Sequence, residues 1–440
     1  MKKKFLIMVA LLAIIPLFIG CPPDKDEDIV HYEYNDTTIL SSKWPFPVGA
    51  AVPGAGTNNG GPVADNNALS QSSRQHQFLK HFNVLVAENE MKPEAILPAN
   101  RPSGDPSEWT AADFRFTNAK ALADYAKNNG KKMRFHTLIW HDQTPAWFFR
   151  NPGGTAQASK AELYEHMEHF IRVVFEWVEY NGYNDTILWW DVVNEAVAHD
   201  TKGARPPTGD GRSLYTAIMR AAGGTNDYEF IVKAFQWARQ YADENNCTNA
   251  KLYLTDFGVE RPFFRGSEPQ TSKQADFKAL VEYLIAQGAP IDGVGFQGHF
   301  RMYDHPVNQI SEGIDMFAAL TRNSTNLKVQ ICELDFSIYS NAKGEGQAKT
   351  ISTTNLLNTR LNDLADTYRS FFNMFEQKFD DGKLDMVIIW GIADGHSWLN
   401  NHPVSGRTDY PLLFSRNYKG KEAYNKLVTN RGNFSNHFGE

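Results

Sequence analysis

Cysteine is scarce in this chain: three residues, Cys21, Cys247 and Cys332, in 440. That excludes a disulfide scaffold, and a core of this size needs no such staple. One bridge between Cys247 and Cys332 stays open, but nothing in the spacing demands it. Cys332 lies in an apolar run, and a buried free thiol is the default reading. No Cys/His pair has zinc spacing, so no metal site is expected. Basic residues are in deficit, with 44 Lys and Arg against 51 Asp and Glu and a net charge of −7. No basic stripe is available to neutralise phosphates, which argues against a nucleic-acid partner. No glycine-rich phosphate loop follows an apolar run; the glycines at 54–61 are too loosely spaced and read as a flexible loop. There is no internal repeat.

Long apolar runs are also missing beyond the first 20 residues. Lys2-Lys3-Lys4 is followed by an apolar stretch from Phe5 to Gly20, too short to span a bilayer comfortably. It ends Leu17-Phe18-Ile19-Gly20-Cys21, which resembles a bacterial lipoprotein signal whose cleavage leaves Cys21 as a lipid-bearing N-terminus. Cleavage without lipidation is the alternative. Asp24-Lys25-Asp26-Glu27-Asp28 then looks like the surface-export tether of such lipoproteins, or like a solvated linker. The expectation is a signal peptide over 1–20, an acidic tether over 21–44, and one catalytic domain over 45–440. The protein would be exported to the outer membrane and held there by its lipid.

What is present looks globular: 42% hydrophobic and 22% charged residues. Ten Trp, 17 Tyr and 29 Phe suit stacking against sugar faces, and equally a large core. Eight short apolar runs recur at 46–52, 82–87, 133–139, 187–193, 251–255, 291–296, 328–332 and 385–389. Each is apolar on both faces, as a buried parallel strand is. Amphipathic stretches at 118–129, 161–180, 227–244, 272–287 and 361–379 lie between them. Eight alternations of this kind predict a (β/α)8 barrel. Two packed Rossmann-like halves are the competitor, disfavoured by the missing phosphate loop. Polar segments at 151–158, 200–212, 261–271 and 341–354 read as loop insertions, none large enough to be a domain.

Polar residues cluster where these strands end, the place where a barrel keeps its active site. The second strand runs into Glu88-Asn89-Glu90-Met91-Lys92, and the third passes His136 to reach Trp140-His141. The fourth ends Asp191-Val192-Val193-Asn194-Glu195, the sixth Gln297-Gly298-His299, the seventh Glu333-Leu334-Asp335, the eighth Trp390-Gly391. Core packing does not explain six polar strand ends. Two carboxyls facing one another across such a bowl are what glycoside hydrolysis needs: one protonates the departing oxygen, the other attacks the anomeric carbon. Glu195 and Glu333 are the candidates, and a retaining enzyme would hold them ~5–5.5 Å apart.

These segments resemble glycoside hydrolase family 10, the endo-β-1,4-xylanases. Trp189 to Ala196 is similar to the family's acid/base signature, Gln330 to Asp335 to its nucleophile signature, and Arg134 to Gln143 to its third-strand motif. Glu88 to Lys92, Gly295 to His299, and Trp390-Gly391 with Asp394 and Ser397-Trp398 complete a set in family order over roughly 46–427. The resemblance implies Glu195 as acid/base and Glu333 as nucleophile. It implies that Asn194 bonds the 2-hydroxyl and that His299, oriented by Asp335, holds Glu333 ionised. Glu88, Asn89, Lys92, His136 and Trp140 would line the glycone side, and Gln297, His141 and Trp390 would surround the reacting ring. Trp398 would close over that ring and exclude substituents at the exocyclic carbon, giving preference for xylose. No cofactor is implied, the partner is xylan, and a monomer is the default.

Plainer readings stand beside these. His136 and His141 could be core histidines and Lys92 a surface lysine; Trp177, Trp189 and Trp190 read as core, and Asp191 as a hydrogen-bonding support. Thr255-Asp256-Phe257-Gly258 departs from the family's Asn-Asp-Tyr-Asn, which removes two amides and a phenol hydroxyl from the leaving-group side. Phe135, where the family often has glycine, adds bulk behind the barrel wall. A glucanase of the same clan is one competing function, though such enzymes usually follow Asn-Glu with Pro rather than with Ala196. A non-catalytic glycan-binding lipoprotein is the other, and it gives no reason for both carboxylates.

Overall fold

Eight parallel strands pair in the order β8-β1-β2-β3-β4-β5-β6-β7, and β7 pairs back to β8 to close the barrel. They are β1 (Val48–Val52), β2 (Val84–Ala87), β3 (Lys132–Phe135), β4 (Ile187–Asn194), β5 (Lys251–Asp256), β6 (Gly293–Phe296), β7 (Lys328–Ser337) and β8 (Leu384–Ile389). The computed structural model describes residues 38–54, 67–209, 211–224, 226–262, 272–341, 343–429, 431–434 and 438. The signal-peptide reading, Cys21 and the acidic run lie outside the described residues, as do most of 54–61 and 261–271.

All eight apolar runs are strands, because residues buried on both faces leave the backbone to be satisfied only by neighbouring strands. Side chains alternate accordingly. On β4, Trp190 points outward onto Phe135 (ring centroids 4.9 Å apart) and Phe175 (4.1 Å), in the layer between sheet and helices. Trp189 points inward and packs with Val84, Tyr253, Met386 and Ile388 in a separate apolar plug that fills the barrel. Its Nε1 donates to Asp385 Oδ2 at 2.8 Å, and Tyr253 Oη donates to the same oxygen at 2.7 Å.

The outer layer holds α1 (Thr117–Asn128), α2 (Lys160–Tyr180), α3 (Leu214–Ala221), α4 (Glu229–Glu244), α5 (Lys273–Ala286), α6 (Val307–Ala318), α7 (Thr354–Asp380) and α8 (Glu422–Val428). Caps set several starts: Ser159 and Glu162 form a capping box on α2, and Ser213 and Ser272 cap α3 and α5. Helix α7 begins seven residues before the expected 361. Thr353 accepts from Leu356 N there, and a polar first turn hides the apolar stripe. Helices α3, α6 and α8 lie beyond the expected amphipathic stretches. Cys247 and Cys332 are free and buried.

Candidate active site

The strand ends converge on a cleft of about 500 Å3. Glu88, Asn89, Lys92, His136, Trp140, Asn194, Glu195, Gln297, His299, Glu333, Trp390 and Trp398 line it, with Asp142, Phe257 and His402. Asp335 stands behind His299. Of the residues expected to touch the sugar, His141 is absent from the lining. Burial and Arg205 hold its imidazole down at about 3, so it is neutral, and its Nδ1 has no partner among the described residues.

Glu333 projects from β7 into a buried position. His299 Nε2 donates to its Oε2 at 3.3 Å, while His299 Nδ1 donates to Asp335 Oδ2 at 2.9 Å. Donation from both nitrogens requires an imidazolium. Burial alone would lower the His299 pKa, but Asp335 and Glu333 outweigh it and raise it to about 10. For Glu333, burial pushes the carboxyl up, yet the His299 hydrogen bond and the nearby His136 and Arg134 bring it below its ordinary value. The other oxygen, Oε1, has no donor among the described residues, and His136 Nε2 lies 3.9 Å from it. Gly298, at φ +79, lets the chain turn between Gln297 and His299 so that both enter the cleft.

A second layer aims these groups. Arg134 is fully buried and forks onto Asp191 through Nε (2.9 Å) and Nη2, while its Nη1 donates to Cys332 O at 3.0 Å. Asp191 Oδ2 also accepts from His136 Nδ1 at 2.8 Å, which turns His136 Nε2 towards Glu333. Asp191 is therefore the support it was read to be, and His136 is both buried and part of the site.

Glu195, directly after β4, adopts φ +56, a left-handed conformation uncommon for residues other than glycine. Gln297 Nε2 donates to its Oε1 at 3.0 Å, and Arg205 Nη2 pairs with its Oε2 at 3.0 Å. Asn194 Oδ1 accepts from Thr255 Oγ1 (2.8 Å) and Gln297 Nε2 (3.2 Å), which fixes the amide so that its Nδ2 points to Glu195 Oε1 at 3.5 Å. Opposite, Lys92 Nζ donates to Asn89 Oδ1 at 3.0 Å and Gln143 Oε1 at 2.9 Å and lies 5.0 Å from the Trp140 ring centroid. Burial lowers its pKa, against the pull of Glu333, Glu88 and Glu195. It is no surface lysine.

Trp398 is held on three sides. Its Nε1 donates to Asp335 Oδ2 at 2.8 Å, His299 meets it edge-on at 4.8 Å, and His402 stacks on it at 4.8 Å and 21°. On the leaving-group side the departure from the family pattern has a physical outcome. Thr255 is spent on Asn194, and Asp256 on Lys273 (2.6 Å) and the Val197 amide (3.0 Å). Both are fully buried, so Phe257, with Lys273 Nζ 3.3 Å from its ring centroid, is what this strand end presents to the cleft. Arg205, Gln143, Phe257 and His402 went unassigned a role in the sequence. Gln143 carried a signal as the last residue of the third-strand motif, and Phe257 as part of the Thr255–Gly258 departure.

The raised His299 pKa has a consequence for stability. A group protonated more readily in the folded state stabilises fully below its unfolded value near 6.5, and that stability is lost as pH rises through the folded value near 10. A His299→Asn variant should therefore fall furthest behind the wild type below about pH 6.5 and converge on it towards pH 10. Urea unfolding at a series of pH values checks this, and a constant gap would contradict it.

The model of glycosyl hydrolase family 10 matches residues 49–430. An endo-1,4-beta-xylanase C of Paenibacillus barcinonensis is 35% identical over 84% of this chain, which spans 30% of that protein. A thermostable celloxylanase of Thermoclostridium stercorarium is 33% identical over 87% of this chain and 84% of its own length. A solved family 10 structure from Paenibacillus barcinonensis superposes with a TM-score of 0.72 at 32% identity, covering 90% of this chain and 98% of the other. With the closed eight-stranded barrel and the ordered strand-end motifs, this match over most of the length makes the chain a member of glycosyl hydrolase family 10.

Proposed function

We propose that the protein cleaves β-1,4-xylosidic bonds within xylan with retention, by double displacement. Glu333 is the nucleophile and Glu195 the acid/base. The observation that carries this reading is the contrast between two carboxyls in one cleft. Glu333 is buried, held ionised by a doubly bonded imidazolium, and keeps Oε1 without a donor. Glu195 is bridged by a neutral amide and an arginine, side-chain groups that suit a carboxyl passing between acid and base. In the first step Glu333 attacks the anomeric carbon while Glu195 protonates the leaving oxygen. In the second, Glu195 takes a proton from the water that releases the sugar. Asn194 Nδ2 makes one long bond to Glu195 Oε1 at 3.5 Å and has a second hydrogen to offer the 2-hydroxyl, a bond that strengthens as the oxocarbenium character grows.

Polar recognition is concentrated on the Glu88, Asn89, Lys92 and His136 side, and Phe257 offers the leaving sugar only a ring. The reading therefore includes tight selection of the glycone and looser selection of the aglycone. Export and an outer-membrane lipid anchor on Cys21 belong to the same proposal and rest on the sequence alone.

The expected result is reducing-end release from xylan far faster than from carboxymethylcellulose. The reverse ratio would instead make the protein a glucanase, and binding without hydrolysis of either would make it a glycan-binding protein. Proton NMR of the first product should show the β-anomer; initial α-product rules out a covalent intermediate.

A further inference from the structure

The loop that follows β4 returns one of its side chains to the acid/base. Arg205 is buried, 7% exposed in its side chain, and all three of its guanidinium nitrogens are engaged. Nη2 meets Glu195 Oε2 at 3.0 Å, Nε donates to the backbone carbonyl of Glu195 itself, and Nη1 donates to Gly211 O at 3.3 Å. One arginine thus grips both ends of a residue whose backbone sits at φ +56. We propose that Arg205 is a positioning residue for the acid/base. It fixes Glu195 in its left-handed conformation and favours the ionised carboxyl over the protonated one.

Three cations face Glu195, and two are neutralised elsewhere. Lys273, from α5, is in contact with Asp256 at 2.6 Å. Lys92, from the segment after β2, lies among Glu88, Glu90 and Glu333. Gln297 and Asn194 are neutral, His141 is neutral at working pH, and Glu333 with its His299 partner stands across the cleft. Arg205 is the cation in direct contact. A guanidinium touching a carboxyl stabilises the charged form. When Glu195 gives its proton to the leaving oxygen, the new carboxylate already has its counter-ion, and it remains ready as base for the water that follows.

This inference rests on the reading of Glu195 as acid/base. The test is the pH dependence of kcat/KM on xylan, whose basic limb reports the essential acid of the free enzyme. In Arg205→Gln and Arg205→Met that limb should move to higher pH by about one unit or more. Arg205→Lys keeps the charge, so its limb should stay near the wild-type position. A basic limb unmoved in the neutral variants overturns the proposal, whatever happens to kcat, because a purely structural arginine would lower activity at all pH values alike. Should neither neutral variant fold, a lysine variant whose limb rises by that amount overturns it instead, and one that keeps the limb supports it. Glu195→Ala is measured alongside. If it still hydrolyses xylan with an intact basic limb, the reading of Glu195 has failed; if it is inactive and the Arg205→Gln limb does not move, the Arg205 inference alone has failed.

Discussion

Replacing Glu333 with alanine should take xylan hydrolysis to the assay floor. The mutation removes the attacking oxygen and leaves His299 Nε2 without its carboxylate partner. Replacing Glu195 should cost on the order of 10²–10⁴-fold on xylan. It should cost much less in the first step on aryl xylobiosides, whose leaving groups need no proton. Added azide separates the two sites. It should return a β-glycosyl azide from the Glu195→Ala enzyme, where it replaces the water of the second step. From the Glu333→Ala enzyme it should return an α-glycosyl azide, attacking from the vacated face. Exchange of those two products would reverse the assignment, and wild-type rates in either variant would end it.

The second large effect falls on stability, at a residue that does no chemistry. Asp191→Ala leaves Arg134 fully buried without its carboxylate and releases His136 Nδ1. Breaking a buried ion pair from one side costs about 3–5 kcal/mol, a large share of the ~5–15 kcal/mol that holds a typical domain. Denaturant unfolding should show that loss, and activity should fall with it as His136 loses its orientation. The double replacement Arg134→Met with Asp191→Leu should recover much of the stability but none of the activity, since it removes the buried charge along with the support. An Asp191→Ala protein as stable as the wild type would show that the pair is not what braces the barrel interior here.

How much of this could be read before the structure depends on what each residue is doing. The eight strands were legible because both faces of each are buried, which forces continuous apolar runs. That Glu195 and Glu333 share one cleft was legible because they interrupt those runs just where the barrel opens. Asp191 was legible as a support because a carboxylate within Trp-Trp-Asp-Val-Val needs a buried partner. That the partner is Arg134 was not, since pairing across adjacent strands depends on register, and β3 and β4 slip register beside that contact. Arg205 was hidden by composition: it sits in a Gly/Pro-rich polar insertion that looks like a solvated loop. His402 was hidden for the same reason. His141 is outside the cleft lining although its neighbour Trp140 is part of it, and the charges of Arg205, Asp142, Asp256 and Lys273 act on the imidazole.

Asp335 Oδ2 accepts from both His299 Nδ1 and Trp398 Nε1. The indole that lines the cleft and the imidazolium that holds Glu333 charged are therefore wired to the same atom. An engineer who removes the indole to admit a bulkier sugar also strips a donor from Asp335, concentrating its charge on His299 and altering the reactivity of Glu333. Selectivity and turnover cannot be tuned as separate dials in this enzyme; substitutions that widen the pocket need to keep a hydrogen-bond donor at position 398.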